Sequence, residues 1–162
     1  MYNRYTLDHG GGILNAGTMV MSNSTLASNA SSGVFGDVAR GGAIFNSGSA
    51  IISNSTLSGN TATYGGGIYN YPGYGLAVQN SIVASNSAAN CWGTVTSNGY
   101  NLSSDNTCNL RGPGDLNNIN PTLGPLQNNG GTTPTMALLA GSPAIDAGNP
   151  SGCTDGKGNL LN

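Results

Sequence analysis

The sequence of 162 residues carries little charge and contains no glutamate. Charged residues are 6% of the chain, the formal net charge is −2, and all six acidic residues are aspartate. Binding to nucleic acid or to an anionic membrane surface depends on clustered cations, and this chain has only four lysines and arginines in total. We therefore expect no nucleic-acid partner.

The chain also lacks a long apolar run, so the sequence predicts no membrane span. The segment from Met1 to Asp8 has no cationic start followed by an apolar stretch, which a secretory signal would show. A repeat begins almost at once, at Gly10. We therefore expect the sequence to be a piece of a longer protein that continues beyond it at both ends.

Cysteine is scarce, and its three positions do not have the spacing of metal ligands. Cys91 and Cys108 are separated by 16 residues, which suits a disulfide that would contribute about 3 kcal/mol. Cys153 is left over, either free or paired with a cysteine outside this sequence. We expect no metal ion and no cofactor.

What the sequence does contain is a repeat, written three times from Gly10, Gly41 and Gly65. The first two copies are offset by 31 residues, and the third has two extra residues within Tyr71–Gly75. A fixed period of this kind indicates a solenoid or an array. Three asparagine positions recur in each copy: Asn15, Asn46 and Asn70; Asn23, Asn54 and Asn80; and Asn29, Asn60 and Asn86.

Within each copy the apolar residues alternate with polar ones, which is typical of a strand with one buried face. Each copy holds three such short strands separated by turns, and this is one rung of a β-helix. The predicted fold is therefore all-β, a right-handed parallel β-helix (a solenoid) with an irregular C-terminal cap. Rungs of this fold stack about 4.8 Å apart.

The repeated asparagines are predicted to lie at the corners between strands. Asparagine tolerates a left-handed backbone at a bend, and its amide bonds to nearby main chain. Identical amides that stack at one corner can also bond from rung to rung, as in cross-β arrays. We therefore interpret all nine as structural ladder residues and none as a ligand.

The repeat occupies residues 1–108, and residues 109–162 form a loop-rich cap and tail of the same domain. Asn90 to Cys108 is interpreted as a last, irregular rung with strands near Thr94–Thr96 and Tyr100–Leu102. Thr132 to Gly148 is expected to fold back over the end of the core, since a solenoid needs a capped end. Ser31 to Arg40 is an insertion that we expect to project as a loop, with Asp37 and Arg40 close enough to pair.

The chain resembles bacterial right-handed parallel β-helix repeat proteins of the choice-of-anchor Q domain type. The resemblance implies a secreted or surface-displayed protein with this piece near the end of its β-helix. Members usually carry histidine where Met136 stands, which argues against a histidine-dependent role here. The motifs that match are NCxGT at Asn90–Thr94, GYNL at Gly99–Leu102, NPxLGPL at Asn120–Leu126, NGG at Asn129–Gly131, PTxALL at Pro134–Leu139 and GSPAIDAG at Gly141–Gly148.

An enzyme that degrades polysaccharides is one hypothesis, because many parallel β-helices cleave such substrates. Hydrolysis would need carboxylates about 5–9.5 Å apart across a groove. The aspartates are scattered, and no two occupy equivalent positions on adjacent rungs, so we predict no catalytic residue. They are Asp8, Asp37, Asp105, Asp115, Asp146 and Asp155.

A binding surface is the second hypothesis. Leu14, Phe45 and Tyr69 share one repeat position and should form an outward apolar column, with Tyr71 and Tyr74 close by. Aromatic faces on a neutral wall could hold a cell-surface glycan or a protein. The alternative, which we favour, is that the column only stabilises the sheet through cross-strand pairs.

The third hypothesis is the one that we adopt from the sequence. The chain is expected to be a non-catalytic structural or adhesin-like segment of a secreted or cell-surface bacterial protein.

Overall fold

The computed structural model describes residues 9–33 and 38–152, and every regular element in these ranges is a β-strand. Three parallel sheets run along the molecule. The first sheet contains β1 (Ile13–Asn15), β4 (Ile44–Asn46), β7 (Ile68–Asn70) and β10 (Cys91–Trp92). The second contains β2 (Thr18–Ser22), β5 (Ser49–Ser53), β8 (Leu76–Gln79) and β11 (Thr96–Ser97). The third contains β3 (Thr25–Ala27), β6 (Thr56–Ser58), β9 (Ile82–Ala84), β12 (Leu102–Ser103) and β13 (Leu116–Asn117).

This arrangement confirms the predicted all-β parallel β-helix. Consecutive strands of one copy fall in three different sheets, and equivalent strands of successive copies pair in parallel. The offset read from the sequence is the register of the pairing, with Asn15 opposite Asn46 and Asn46 opposite Asn70. The two-residue insertion lies between β7 and β8, and the register resumes where Ser53 pairs with Gln79.

The core is a narrow column between the three sheets, and the alternation in each strand decides which side chains enter it. In the second sheet Ile52 and Val78 are at most 1% exposed, whereas the neighbouring Ile51 is 41% exposed. Burial of apolar surface contributes about 25 cal/mol per Å², so this column supplies the main driving force for folding. Its buried members are Met21, Ala43, Ile44, Ala50, Ile52, Leu57, Ile68, Leu76, Val78, Val83, Cys91, Val95, Cys108 and Leu110.

Glycine opens the second and third copies because side chains would collide there. Gly41 has a φ of +67°, and a Cβ atom on it would lie 2.4 Å from the carbonyl oxygen of Ile44. A Cβ atom on Gly42 would lie 2.3 Å from the carbonyl oxygen of Gly66 in the next rung. Only glycine tolerates both the left-handed backbone and such close approach of main chains.

The first and third sets of repeated asparagines form hydrogen-bonded ladders, as predicted. The amide Nδ2 of Asn15 donates to Oδ1 of Asn46 at 2.6 Å, and Asn46 donates to Asn70 at 2.7 Å. In the third set the corresponding bonds are 2.9 Å each, and this ladder runs on from Asn86 to Asn90 at 3.0 Å. Asn90 was not among the predicted members, because it follows Asn86 by four residues instead of a full copy.

The middle set has a different role from the one expected. Asn23, Asn54 and Asn80 have φ values of +50°, +49° and +48°, so each makes the left-handed corner between the second and third sheets. Rung-to-rung hydrogen bonds at this corner are made by the serine that follows each asparagine. The main-chain nitrogens of Ser24 and Ser55 donate to Oγ of the next serine in the column, each at 3.2 Å.

A fourth, irregular rung follows the three copies, and the predicted disulfide closes it. Cys91 lies in register with Ile68 and points into the core, where it is bonded to Cys108 with a Cα–Cα distance of 4.8 Å. Strands β11 and β12 begin at Thr96 and Leu102, two residues later than each expected strand began. The reason for the second shift is Tyr100, whose φ of +59° makes it a corner residue.

Residues 109–152 pack beside the third sheet instead of folding over the end of the core. Strand β13 extends that sheet by pairing with β12, and β14 (Leu123–Gln127) pairs antiparallel with β15 (Thr135–Leu138). The outward column explains this position, because it changes from threonine to large apolar residues where the segment covers it. The column runs Thr25, Thr56, Ile82, Leu102, Leu116.

Some predictions fall on residues outside the described ranges. These are the character of Met1 to Asp8, the pairing of Asp37 with Arg40, the state of Cys153, and the tail from Thr154 to Asn162. They stay predictions.

Replacing Asn46 by alanine tests the ladder. Asn46 is fully buried, donates to Asn70 and to the carbonyl oxygens of Gly48 and Gly75, and accepts from Asn15. Because Asn46→Ala would leave buried partners unsatisfied, we expect the free energy of unfolding to fall by about 2–4 kcal/mol in urea titrations. Asn128→Ala, at an exposed position, should change it by less than about 0.5 kcal/mol. Equal effects of the two substitutions would contradict the role of the ladder.

Candidate functional site

An aromatic stack on the outer face of the first sheet is the main candidate for a binding site. Leu14, Phe45 and Tyr69 occupy equivalent positions on β1, β4 and β7, as predicted. Trp92 on β10 continues the column. The side chains point outward because the preceding residues in β4 and β7, Ile44 and Ile68, are fully buried in the core.

The rings lie face to face along the axis of the β-helix. The ring centroids of Phe45 and Tyr69 are 5.2 Å apart with an interplanar angle of 7°. Those of Tyr69 and Trp92 are 4.3 Å apart with an angle of 4°. The spacing follows from the rise of about 4.8 Å between rungs. At the other end the His9 ring stacks on Phe45 at 4.5 Å and takes the place beside it, while Leu14 is 59% exposed.

This geometry corrects the expectation that Phe45 and Tyr69 offer their faces to a ligand. Each ring is covered by its neighbours in the stack, and the two side chains are only 6% and 5% exposed. A sugar or an apolar side chain binds best over an aromatic face. In this column the faces are already used to stabilise the sheet, which supports the alternative weighed from the sequence.

Other aromatic side chains surround the stack and remain exposed. Tyr71 tilts toward Phe45 with a centroid distance of 6.3 Å, and Tyr74 meets Tyr71 edge-on at 6.1 Å. Tyr64 contacts the edge of Trp92 at 6.4 Å. The exposed surface, called the aromatic face below, therefore consists of Leu14, Tyr64, Tyr71, Tyr74 and Trp92.

Arginine completes this part of the surface. Arg40 lies beside the stack with its guanidinium carbon 5.7 Å from the centroid of the Tyr69 ring, a cation–π distance. Its Nη1 donates to Nε2 of His9 at 3.2 Å. His9, Arg40 and Tyr64 are themselves aligned by parallel bridges on successive rungs. The site thus combines aromatic edges with a positioned cation.

Sequence reasoning found three of the five members of the aromatic face and missed Tyr64 and Trp92. Trp92 has a signal in hindsight, because Asn90-Cys91-Trp92 matches Gly67-Ile68-Tyr69 once Cys91 is aligned with Ile68. Tyr64 precedes the glycine that opens the third copy. Its equivalent in the second copy is Arg40, so the position shows no shared residue type.

Two of the carboxylates are used to finish polar columns at the end of the rungs. Oδ2 of Asp105 accepts from the main-chain nitrogen of Asn90 at 2.9 Å, next to the last amide of the asparagine ladder. Oδ1 of Asp115 accepts from the main-chain nitrogen of Asn101 at 2.9 Å and from its Nδ2 at 3.1 Å. Asn101 in turn accepts from Ser81 at the end of the serine column. Asp146 is exposed in a left-handed turn, and Asp8, Asp37 and Asp155 lie outside the described residues.

The protonation of Asp105 fits a structural acceptor. Burial acts to raise the pKa of this carboxyl, but hydrogen bonds from Thr107, Asn90 and Ser103 outweigh burial, and the pKa lies below its ordinary value. A general acid near neutral pH would need a raised pKa instead. The carboxylate therefore stays ionised and accepts hydrogen bonds.

Two wider searches of the described residues complete the inventory. Within residues 9–33 and 38–152, no group of three or more histidine, cysteine or aspartate side chains is placed to hold a metal ion. No helix in these ranges has the length and apolar character needed to cross a membrane. The disulfide is consistent with an extracellular location, because disulfides persist in oxidising compartments.

Comparisons with protein-family models, curated proteins and solved structures find no match to this chain. The resemblance to proteins of the choice-of-anchor Q type therefore stays a prediction that rests on the short motifs alone.

Acidification tests the role of Asp105. Its pKa is lower in the folded state than in the unfolded chain, so its contribution to stability is fully present above the unfolded value of about 3.9 and is lost as the pH falls through the folded value. We expect Asp105→Asn to destabilise the protein at pH 7 and to have a smaller effect near pH 2, measured by urea unfolding at both pH values. Asp146→Asn, at an exposed left-handed position, is the matched control. A destabilisation by Asp105→Asn that is the same at both pH values would contradict this account.

Proposed function

We propose that this chain is a non-catalytic, rigid β-helical segment of a secreted or cell-surface bacterial protein. The observation that carries the proposal is the use of the polar side chains. The amides, the serine hydroxyls and two of the carboxylates are engaged in holding one rung on the next. Groups that are engaged in this way stabilise a rod and are not poised for acid–base chemistry.

The distribution of stabilising interactions also suits a spacer. Each rung contacts its neighbours through three parallel strand pairs, two asparagine ladders and a serine column. In a solenoid of this kind stability is approximately the sum of such nearest-neighbour terms. A rod built from them extends without a separate hydrophobic core in each part, and this is what a stalk or passenger segment requires.

The proposed location has two supports. The buried disulfide between Cys91 and Cys108 favours an oxidising environment. The motifs between Asn90 and Gly148 resemble those of surface-displayed bacterial β-helix proteins. In such a protein a cell-surface glycan or another protein would be the natural partner.

Binding by the aromatic face is the second candidate function. The observation that favours it is the exposure of Tyr71, Tyr74 and Trp92 on one side of the rod, each 37–48% exposed. Tyrosine and tryptophan combine an apolar body with a hydrogen-bonding group, which suits them to glycan or protein contacts. An enzyme that cleaves polysaccharides is the third candidate, and it has no specific support from the described side chains.

One set of assays distinguishes these functions. The protein is incubated with pectin-type polysaccharides and assayed for unsaturated or reducing sugar, and it is screened on a glycan array. For the structural role we expect no sugar release and no glycan retained above background. Release of sugar would overturn the proposal in favour of an enzyme.

Matched variants give a retained glycan its meaning. Tyr71→Ala and Trp92→Ala change the aromatic face, whereas Val20→Ala and Ile51→Ala remove exposed apolar side chains from the second sheet. Glycan retention that is lost in the first pair and kept in the second would establish the aromatic face as a binding site. Phe45 and Tyr69 are unsuitable for this test, because truncating either would break the stack and destabilise the rod.

A further inference from the structure

A cleft of about 300 Å³ lies between the outer face of the third sheet and the C-terminal segment that covers it. Its floor is the outward column at the end of that sheet, Ile82, Leu102 and Leu116, which are in register on β9, β12 and β13. The opposite wall includes Met136 and Leu138 of β15. The floor therefore runs over three rungs, about 10 Å at a rise of about 4.8 Å each.

The lining of this cleft contains no charged residue. Neutral polar groups enter from one side, where the corner before the third sheet contributes Asn54, Asn80 and Tyr100. The corner is held in place, since Oδ1 of Asn80 accepts from the main-chain nitrogen of Asn149 at 3.1 Å. Apolar walls with a few positioned polar groups are typical of sites for small molecules.

The size of the cleft exceeds what imperfect packing leaves behind. Protein interiors contain few voids larger than a water molecule, and an apolar cavity of about 150 Å³ is enough to bind benzene. Small residues keep this space open on the side of the C-terminal segment, namely Ala144, Ala147 and Gly148. A Cβ atom on Gly148 would meet no other atom within 4 Å, so a larger side chain could have filled the space.

We propose that this cleft binds a small, uncharged molecule with an apolar body, such as a fused aromatic ring system or a short alkyl chain, bearing one neutral polar group. The apolar body lies along Ile82, Leu102 and Leu116, opposite Met136 and Leu138. The polar group faces the corner formed by Asn54, Asn80 and Tyr100. This activity is separate from the structural role of the rod and from the aromatic face on the first sheet.

Methionine methyl groups provide a direct test. The chain has four methionines, of which Met136 lines the cleft while Met19 and Met21 lie in β2 of the first rung. The full chain, labelled with ¹³C at the methionine methyl groups, is titrated with 2-naphthol, a fused ring with one hydroxyl group that is uncharged at neutral pH. We expect a saturable shift of the Met136 signal, with the Met19 and Met21 signals unchanged.

Two matched glycine variants locate the site. Gly148→Leu places a side chain into the cleft, and Gly17→Leu adds the same side chain at a distant position. Neither glycine has a left-handed backbone, and a Cβ atom on either one meets open space. Affinity for 2-naphthol should fall at least tenfold in Gly148→Leu and stay unchanged in Gly17→Leu.

A charged analogue tests the ligand class. Because no cation lines the cleft, 2-naphthalenesulfonate should bind at least tenfold more weakly than 2-naphthol. The proposal is overturned if the Met136 signal does not saturate, if Met19 and Met21 shift in parallel with it, or if Gly148→Leu binds as well as the unchanged chain. Equal affinity for the sulfonate would overturn the assignment to uncharged ligands.

Discussion

The structure depends on buried amides that must meet the equivalent amide of the next rung. Asn46 and Asn60 are fully buried, and a polar group in that position costs free energy unless it is hydrogen-bonded. A slip of one residue between rungs would break the amide bonds and move the apolar side chains of each strand to the outer face. The ladders therefore set the register, and the register in turn places the core, the aromatic stack and the outward column of the third sheet.

Much of this could be predicted because the repeat contains the register directly. The alignment of Asn15, Asn46 and Asn70 fixes which residues pair in the first sheet, and the alternation around Ile52 fixes which side chains enter the core. The disulfide followed from spacing and from having few cysteines to choose from. These predictions use short-range pattern and copy number, both of which can be read without coordinates.

The parts that were missed depend on geometry that a repeat does not encode. Alternation shows that Phe45 and Tyr69 leave the outer face, but not that their rings turn parallel and cover one another. Asn90 and Trp92 continue two columns only after the chain leaves the period, so no fixed offset finds them. The side-on position of the C-terminal segment is written in Ile82, Leu102 and Leu116, and these residues form a column only once the irregular fourth rung is aligned.

The asparagine ladders have a direction. Each described amide donates toward the later rung, from Asn15 to Asn46 to Asn70 and from Asn29 to Asn60 to Asn86. Their side-chain dipoles therefore add, with the oxygen ends toward the start of the solenoid and the N–H ends toward Asp105. An α-helix gathers its partial positive charge where the chain enters. This rod gathers it where the rungs finish, and an anionic carboxylate at that end has the sign that such a field favours.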